Sequence, residues 1–177
     1  ASDVYKRQHI LLFMKNLEFK KSLSAGIFSL ITIGVLTFLT YKTEFGIFLL
    51  ASFGSSMVLL YGYPESPFAQ PKNVFFGHLI TAAVGLFFLN LIPLPLFINI
   101  PLAVGFGVGL MILFNVTHPP AGGNPIIVII GSVSLDYILT PVITGAIIII
   151  IFAIIINRFI LKKTYPNQKS VSYTHLR

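Results

Sequence analysis

Two polar, proline-rich segments interrupt an otherwise apolar sequence and hold most of the residues able to do chemistry. The first covers residues 64–73 (PESPFAQPKN) and the second residues 118–125 (HPPAGGNP). Proline and glycine break regular helix, and inside a bilayer the freed backbone groups are tolerated only where they are buried in protein or line a cavity. Paired interruptions of this kind mark substrate sites in transporters. The two segments are therefore predicted to face each other around a site, with two ordinary surface loops as the alternative.

The second segment has the groups that a small anion would bind. A half-helix beginning beyond Gly122 and Gly123 would present backbone N–H groups and the positive end of its dipole. Nearby histidine, asparagine and lysine side chains would add donors. The predicted substrate-binding residues are Lys72, Asn73, His78, His118, Gly122, Gly123 and Asn124.

His78 and Glu65 are each predicted to bind and release a proton that is coupled to transport. His78 lies inside an apolar stretch, where an ionisable side chain is costly and usually faces the bundle interior. Each assignment has a structural alternative: His118 caps a helix end, His78 packs beside a hydrogen-bonded partner, and Glu65 is solvated. Asn90 and Asn115 are predicted to form hydrogen bonds between helices.

Other chemistries lack the residues they require. The chain has no cysteine and its four histidines are scattered, so no metal site is predicted. It has no phosphate-binding glycine loop, no His-Glu-x-x-His pair and no serine in a nucleophile elbow. We predict no catalytic residue, no cofactor and no enzyme activity.

Membrane-spanning helices must position these residues. Of the 177 residues 55% are apolar and 10% charged, and no Lys, Arg, Asp or Glu lies between Asn73 and Leu135, which excludes a water-soluble protein. About 20 apolar residues suffice to cross a bilayer. Residues 126–135 reach only about 15 Å as a helix and predict a half-helix. The long uncharged stretches are residues 22–41, 45–63, 74–92, 102–117 and 137–157.

The basic residues set the predicted topology. The chain has a net charge of +7, and its Lys and Arg side chains flank the first and last spans. Since such clusters stay on the cytoplasmic side, both termini are predicted to be cytoplasmic and the number of crossings even, four or six, with five as the alternative. Topology and anionic lipid account for the basic ends, so no nucleic-acid partner is predicted.

A single transmembrane domain is predicted over residues 14–169. Residues 1–13 and 170–177 are interpreted as non-native or disordered flanks. Small residues within 45–63 and 102–117 predict close helix contacts, within one subunit or between subunits of a homo-oligomer.

Three ordered motifs resemble the HPP family of integral membrane proteins. They are FGSS at 53–56, YPESPFAQPKN at 63–73 followed by Gly77 and His78, and THPPAGGNP at 117–125. The resemblance covers residues 22–157 and implies an all-α, polytopic transmembrane bundle of four full spans with broken half-helices, with five or six segments also compatible with the apolar pattern.

The resemblance also implies a function. Plastid members of the family are associated with nitrite transport, so a transporter or channel for a small inorganic anion, with nitrite as the leading candidate, is the expectation for this bacterial-type chain in a cytoplasmic (inner) membrane. Nitrate and formate fit the same description. The alternative is a membrane sensor or scaffold subunit that binds a ligand or partner without transporting it.

Overall fold

The structure is a computed structural model that describes residues 2–167, with side chains from Met14 onward. Every regular element in this range is helical, and six principal helices follow one another along the chain. Residues 2–13, predicted to be a flank, form the start of the first helix, while the predicted flank 170–177 lies outside the described residues. The helices are α1 (Ser2–Lys42), α2 (51–62), α3 (Pro71–Leu91), α4 (Leu96–Leu113), α5 (Pro119–Ile130) and α6 (Leu135–Ile160).

Four helices within the described residues are long and apolar enough to cross a bilayer. They are α1 from Met14, α3, α4 and α6. Large apolar side chains such as Phe97 and Leu30 are about three-quarters exposed, as expected for surfaces that contact lipid. The prediction of an all-α bundle with four full spans and shorter broken helices is confirmed.

The second apolar stretch forms a half-helix, α2, and not the long helix that its length suggested. Regular helix covers Ala51–Met57 and continues as a wider π turn over Val58–Gly62, about 18 Å in all. The preceding residues 46–50 are not helical. The Thr40 hydroxyl accepts hydrogen bonds from the N–H groups of Phe48 and Leu49, at 3.0 and 3.1 Å, which fixes this non-helical stretch against the end of α1.

The second half-helix, α5, lies earlier than the predicted residues 126–135. A 3-10 turn over Pro119–Gly123 leads into regular helix over Asn124–Ile130. Prolines in the first turn of a helix are tolerated because their missing N–H has no partner there. The following span begins at Leu135, where the predicted half-helix ended, and α4 begins at Leu96 and contains Pro101.

Successive helices reverse direction through the bundle. α2 runs back along α1, since the Thr32 and Tyr61 hydroxyls are hydrogen bonded and the Lys21 ammonium lies 4.2 Å from the ring centre of Tyr63. α5 runs parallel to α3, and α6 runs parallel to α2, with the Asn157 amide donating to the Leu60 carbonyl. The two half-helices thus occupy the second and fifth places in an alternating series of six segments.

The Lys and Arg clusters near the two ends of the described chain lie together. A groove at this end is lined by residues near the start of the apolar part of α1 and by residues after α6: Leu17, Glu18, Lys20, Lys21, Ser24, Leu161 and Lys163. We call this the basic end. The arrangement agrees with an even number of passages across the bundle.

The segment after α6 fastens the first proline-rich segment at the basic end. Tyr165 is buried and its hydroxyl donates to the Ala69 carbonyl at 2.8 Å. Burial raises the pKa of Tyr165, so the hydroxyl remains a neutral donor. The Asn167 N–H donates to the Gln70 side-chain oxygen at 2.7 Å.

Gly145 permits the close approach of α6 to α2. A Cβ at this position would lie 2.6 Å from the Phe48 carbonyl oxygen and would overlap the Phe53 ring. We expect Gly145→Ala to lower the free energy of unfolding by about 1–3 kcal/mol through overpacking. Thermal unfolding in detergent measures the effect.

The matched control is Gly109→Ala on α4, where an added Cβ meets no atom within 4 Å. Alanine favours helix over glycine, so this variant is expected to keep or raise the unfolding temperature. Equal unfolding temperatures for the two variants would contradict the close packing of α2 and α6.

Candidate functional site

His78 lies in the interior of the bundle on α3. It is about 10 Å along the helix from Pro71 and its side chain is completely buried. The Phe53 ring of α2 and the His118 ring both meet it edge-on, with ring centres 4.9 and 5.0 Å away. An ionisable side chain is thus held among apolar helices, where such residues are expensive and usually functional.

His118 stands where the chain breaks between α4 and α5, and it is also completely buried. Its Nδ1 donates to the Phe68 carbonyl at 2.7 Å, and its Nε2 lies 2.8 Å from the Ser56 hydroxyl oxygen. Phe68 belongs to the first proline-rich segment. The prediction that the two interrupted segments face each other is confirmed.

Two serines bring α2 into contact with both histidines and with α5. Ser52 and Ser56 are four residues apart and so share one face of the half-helix. The Ser56 oxygen lies 3.2 Å from His78 Nε2 as well as 2.8 Å from His118 Nε2. The Ser52 hydroxyl donates to the Asn124 side-chain oxygen at 2.7 Å, which joins the two half-helices directly.

Asn124, the first residue of regular helix in α5, completes the arrangement. Its amide nitrogen lies 3.0 Å from the Thr81 hydroxyl and 3.1 Å from His78 Nδ1. The hydrogen-bonded set on α2, α3, α5 and the break before α5 is called the polar cluster: Ser52, Ser56, His78, Thr81, His118 and Asn124.

Two glycines on α3 make room for the second broken segment. A Cβ at Gly77 would lie 2.7 Å from the Cβ of His118, and one at Gly85 would lie 2.9 Å from the Cα of Pro125. The Asn73 amide donates to the Thr117 carbonyl at 2.9 Å, one residue before His118. The position of His118 is therefore fixed by two contacts with α3, the close approach at Gly77 and the hydrogen bond from Asn73.

The polar cluster has no fixed charge. Its members are at most 5% exposed, and no Lys, Arg, Asp or Glu within residues 14–167 forms a hydrogen bond with it. Apolar residues of the main core, including Phe53, Val74 and Val128, are buried nearby. A single charge in such surroundings is strongly unfavourable unless an opposite charge accompanies it.

The structure brings together three of the predicted substrate-binding residues, His78, His118 and Asn124, and gives Asn73 a role in holding the break. Lys72 and Glu65 are exposed and form no hydrogen bond with the cluster. The positions of these two side chains therefore do not support the predicted substrate binding by Lys72 or the predicted proton coupling by Glu65.

Gly122 and Gly123 are half-buried beside the cluster, on the turn that leads to Asn124. An added Cβ would meet only Val108 at 3.9 Å from Gly122, and nothing within 4 Å of Gly123. Their predicted binding role remains a prediction.

The predicted interhelical role of Asn90 is wrong, because its amide donates to Leu86 of its own helix. Asn115 is exposed with a φ of 53°, as suits the turn that ends α4. Besides Asn73 and Asn124, asparagines that donate across segments are Asn99, which donates to the Phe88 carbonyl, and Asn157, which donates to the Leu60 carbonyl.

Ser52, Ser56 and Thr81 are the cluster members that the sequence analysis did not assign to the site. The sequence places both serines among the small residues of 45–63 that predict helix packing, and Ser56 also in the FGSS motif. Two signals could have identified them: the four-residue spacing of the serines, the second of which lies in the FGSS motif, and the position of Thr81 three residues after His78 on the same helix face.

No group of three or more His, Cys, Asp or Glu side chains gathers within the described residues. A protein zinc site commonly has at least three protein ligands. Two imidazoles with hydroxyl and amide neighbours suit proton exchange and hydrogen bonding to a small polar solute better than metal binding.

The fold and the site together define a polytopic helical membrane protein in which two half-helices surround a buried polar cluster. Residues 14–166 match the family described as "HPP, transmembrane region", and the chain belongs to the HPP family of transmembrane proteins. The resemblance inferred from the three motifs is confirmed.

Two transmembrane proteins from Dictyostelium discoideum are similar to the chain. One is 33% identical over 129 residues, which cover 67% of this chain and 44% of the relative; the other is 34% identical over 152 residues, which cover 78% and 48%. The chain spans less than half the length of these relatives. No solved structure matches it.

Asn73 provides a direct test of how the break is held. Asn73→Ala removes the side-chain bond to Thr117 and should lower the free energy of unfolding by about 1 kcal/mol. The matched control is Asn90→Ala, on the same helix, which removes a bond to the helix's own backbone at an exposed position and should have a smaller effect. Thermal unfolding in detergent compares the two. A larger loss in Asn90→Ala would contradict the bridging role of Asn73.

Proposed function

We propose that the protein transports a small monovalent anion together with a proton, with the polar cluster as the substrate site and nitrite as the leading substrate. The observation that carries the proposal is the pair of buried imidazoles, His78 and His118, joined through one hydroxyl where two half-helices meet. Broken helices and intramembrane ionisable residues are typical of substrate and proton pathways.

The absence of fixed charge from the cluster supports coupling of the anion to a proton. An anion entering alone would be an uncompensated charge in an apolar interior. A proton bound by His78 or His118 would give an imidazolium next to the anion, so that the pair enters with no net charge. Hydroxyl, amide and imidazole N–H groups would supply further donors to the anion oxygens.

The cluster's own hydrogen bonds imply how an anion would bind. The side chains of Ser52, Ser56, His118 and Asn124 satisfy one another. An anion would therefore bind by replacing some of these hydrogen bonds, which requires the half-helices to separate slightly from α3. Short helices at breaks are suited to such movement, because few residues change conformation.

Proton coupling is proposed for the histidines and not for Glu65. The Glu65 side chain is exposed, whereas both histidines are completely buried within the cluster.

We also propose that the protein resides in the cytoplasmic membrane of a bacterium with the basic end on the cytoplasmic side, because Lys and Arg are retained on that side.

The test is uptake into liposomes that contain the purified protein, with nitrite compared with nitrate, formate and chloride, with and without a pH gradient. We expect gradient-driven nitrite uptake, and we expect His118→Gln to lower its rate by about a hundredfold because a proton-transfer group is lost. Glu65→Gln is the control and should retain wild-type uptake.

Two results would contradict the proposal. One is the absence of flux of every anion from folded wild-type protein, which would favour the sensor or scaffold alternative. The other is loss of coupling in Glu65→Gln while His118→Gln transports normally, which would assign the proton to the glutamate.

A further inference from the structure

Ser56 occupies a distinctive place between the two histidines. It is completely buried, and its oxygen lies within hydrogen-bond distance of the Nε2 atoms of both rings, 2.8 Å from His118 and 3.2 Å from His78. A serine hydroxyl has one proton to donate and lone pairs that accept. The direction of each bond through Ser56 therefore depends on which ring nitrogens carry protons.

The backbone determines the protonation of His118. Its Nδ1 lies 2.7 Å from the Phe68 carbonyl oxygen, which can only accept. Nδ1 therefore carries the proton, and in the neutral ring Nε2 accepts. The Ser56 hydroxyl also lies 3.1 Å from the Ser52 carbonyl oxygen one helical turn earlier. We assign its one proton to His118 Nε2, because this acceptor is closer, at 2.8 Å, and has no other donor among the described residues.

The protonation of His78 follows from the orientation of Asn124. The amide nitrogen of Asn124 lies 3.3 Å from the backbone carbonyl of His78, and its side-chain oxygen accepts from Ser52. The NH₂ group must therefore face His78, so His78 Nδ1, 3.1 Å away, accepts from it. In the neutral ring the proton of His78 is then on Nε2, which donates to Ser56.

These assignments give one direction to the whole series. The Asn124 amide donates to His78, His78 to Ser56, Ser56 to His118, and His118 to the Phe68 carbonyl. The two histidines have opposite neutral tautomers, with the proton on Nε2 in His78 and on Nδ1 in His118. A series with every donor facing an acceptor is the arrangement along which a proton can pass.

We propose that the Ser56 hydroxyl relays a proton from His78 to His118 and thereby couples anion movement to proton movement. The proposal rests on the proposed function. Within the polar cluster, Ser56 acts as a positioning and relay residue between the two imidazoles.

Each bond in the relay is accounted for. A proton arriving with the anion forms an N–H bond at His78 Nδ1, and the Nε2–H bond of that ring breaks as its proton joins the Ser56 oxygen. The original Ser56 O–H bond breaks, and its proton forms the second N–H bond of His118, at Nε2. His118 becomes an imidazolium that carries the transferred proton, and Ser56 again has one proton, now directed at His78 Nε2. His78 is neutral with its proton on Nδ1, which requires the hydrogen bond from the Asn124 amide to break as the anion binds.

Every element packed around the two rings contributes only neutral groups to them. α2 provides Ser52, Ser56 and the Phe53 ring, while the other hydrogen-bond partners among the described residues are Thr81 of α3, Asn124 of α5 and the Phe68 carbonyl. Among residues 14–167, the one titratable side chain that meets either imidazole is the other imidazole, which it contacts edge-on. The proton on the pair is therefore controlled by the relay and not by a neighbouring carboxylate or ammonium group.

The test separates proton movement from anion movement in liposomes. Uptake of nitrite driven by a pH gradient requires the proton to be released, whereas exchange of labelled for unlabelled nitrite at equal pH does not. We expect Ser56→Ala to slow gradient-driven uptake by about a hundredfold, and to slow exchange at least about tenfold less than uptake, because exchange needs no proton to be released. Ser56→Thr keeps the hydroxyl and should retain most of the gradient-driven uptake.

Ser55→Ala is the matched control. It makes the same substitution one residue away, at an exposed position on α2, and should leave both rates at wild-type levels. Normal gradient-driven uptake in Ser56→Ala would overturn the relay. Equal loss of uptake and exchange in Ser56→Ala, from protein that is folded and inserted, would also overturn it, because Ser56 would then serve binding or folding.

Nitrogen-15 NMR of the histidine rings tests the relay independently of transport. The expected wild-type spectrum has the proton on Nε2 of His78 and on Nδ1 of His118. The same neutral tautomer on both rings would overturn the relay even if the protein transports nitrite. If wild-type protein transports no anion but the tautomers are opposite, the proposed function fails while the directed hydrogen-bond series stands.

Discussion

A polar group inside a bilayer must find its partner within the protein, because no water is available to replace it and each unpaired group costs several kcal/mol. In the described part of the chain, helices are interrupted at two proline-rich segments beside the buried polar cluster, and each interruption creates that demand. The Phe68 carbonyl is paired by His118, and the Thr117 carbonyl is paired by Asn73. One backbone carbonyl at each break is thus paired by a side chain from elsewhere in the fold.

The same requirement explains why the functional candidates lie together. A histidine that satisfies a loop carbonyl with Nδ1 still has Nε2 to be paired, and the nearest partner is Ser56. Ser56 is also hydrogen bonded to His78, and His78 is hydrogen bonded to Asn124. The glycines at 77 and 85 supply the space for this series against α3. The site therefore arises because uncharged side chains pair backbone carbonyls at the two helix breaks.

Much of the fold could be predicted from hydropathy, because the four long spans depend mainly on length and apolar composition. The start of α2 could not, since residues 46–50 are as apolar as a helix requires and the hydroxyl of Thr40 determines their non-helical conformation. His78, His118 and Asn124 could be predicted because polar residues are conspicuous within apolar sequence.

The sequence marks Ser52, Ser56 and Thr81 only through their spacing. Small hydroxyl side chains are common in membrane helices, and their role depends on the partner that folding places opposite. Lys72 and Glu65 illustrate the reverse case. They carry charge and lie in the right segment, yet both are exposed.

The hydrogen bond between Ser52 and Asn124 is the direct link between the two half-helices, and a double-mutant cycle on this pair tests the central claim that they form one site. Unfolding free energies would be measured for Ser52→Ala, Asn124→Ala and the double variant, with Ser52 and Asn90 as the control pair. The structure predicts a coupling energy of about 1 kcal/mol or more for Ser52 with Asn124, and additivity for the control pair. Additivity for Ser52 and Asn124 within about 0.3 kcal/mol would contradict the claim.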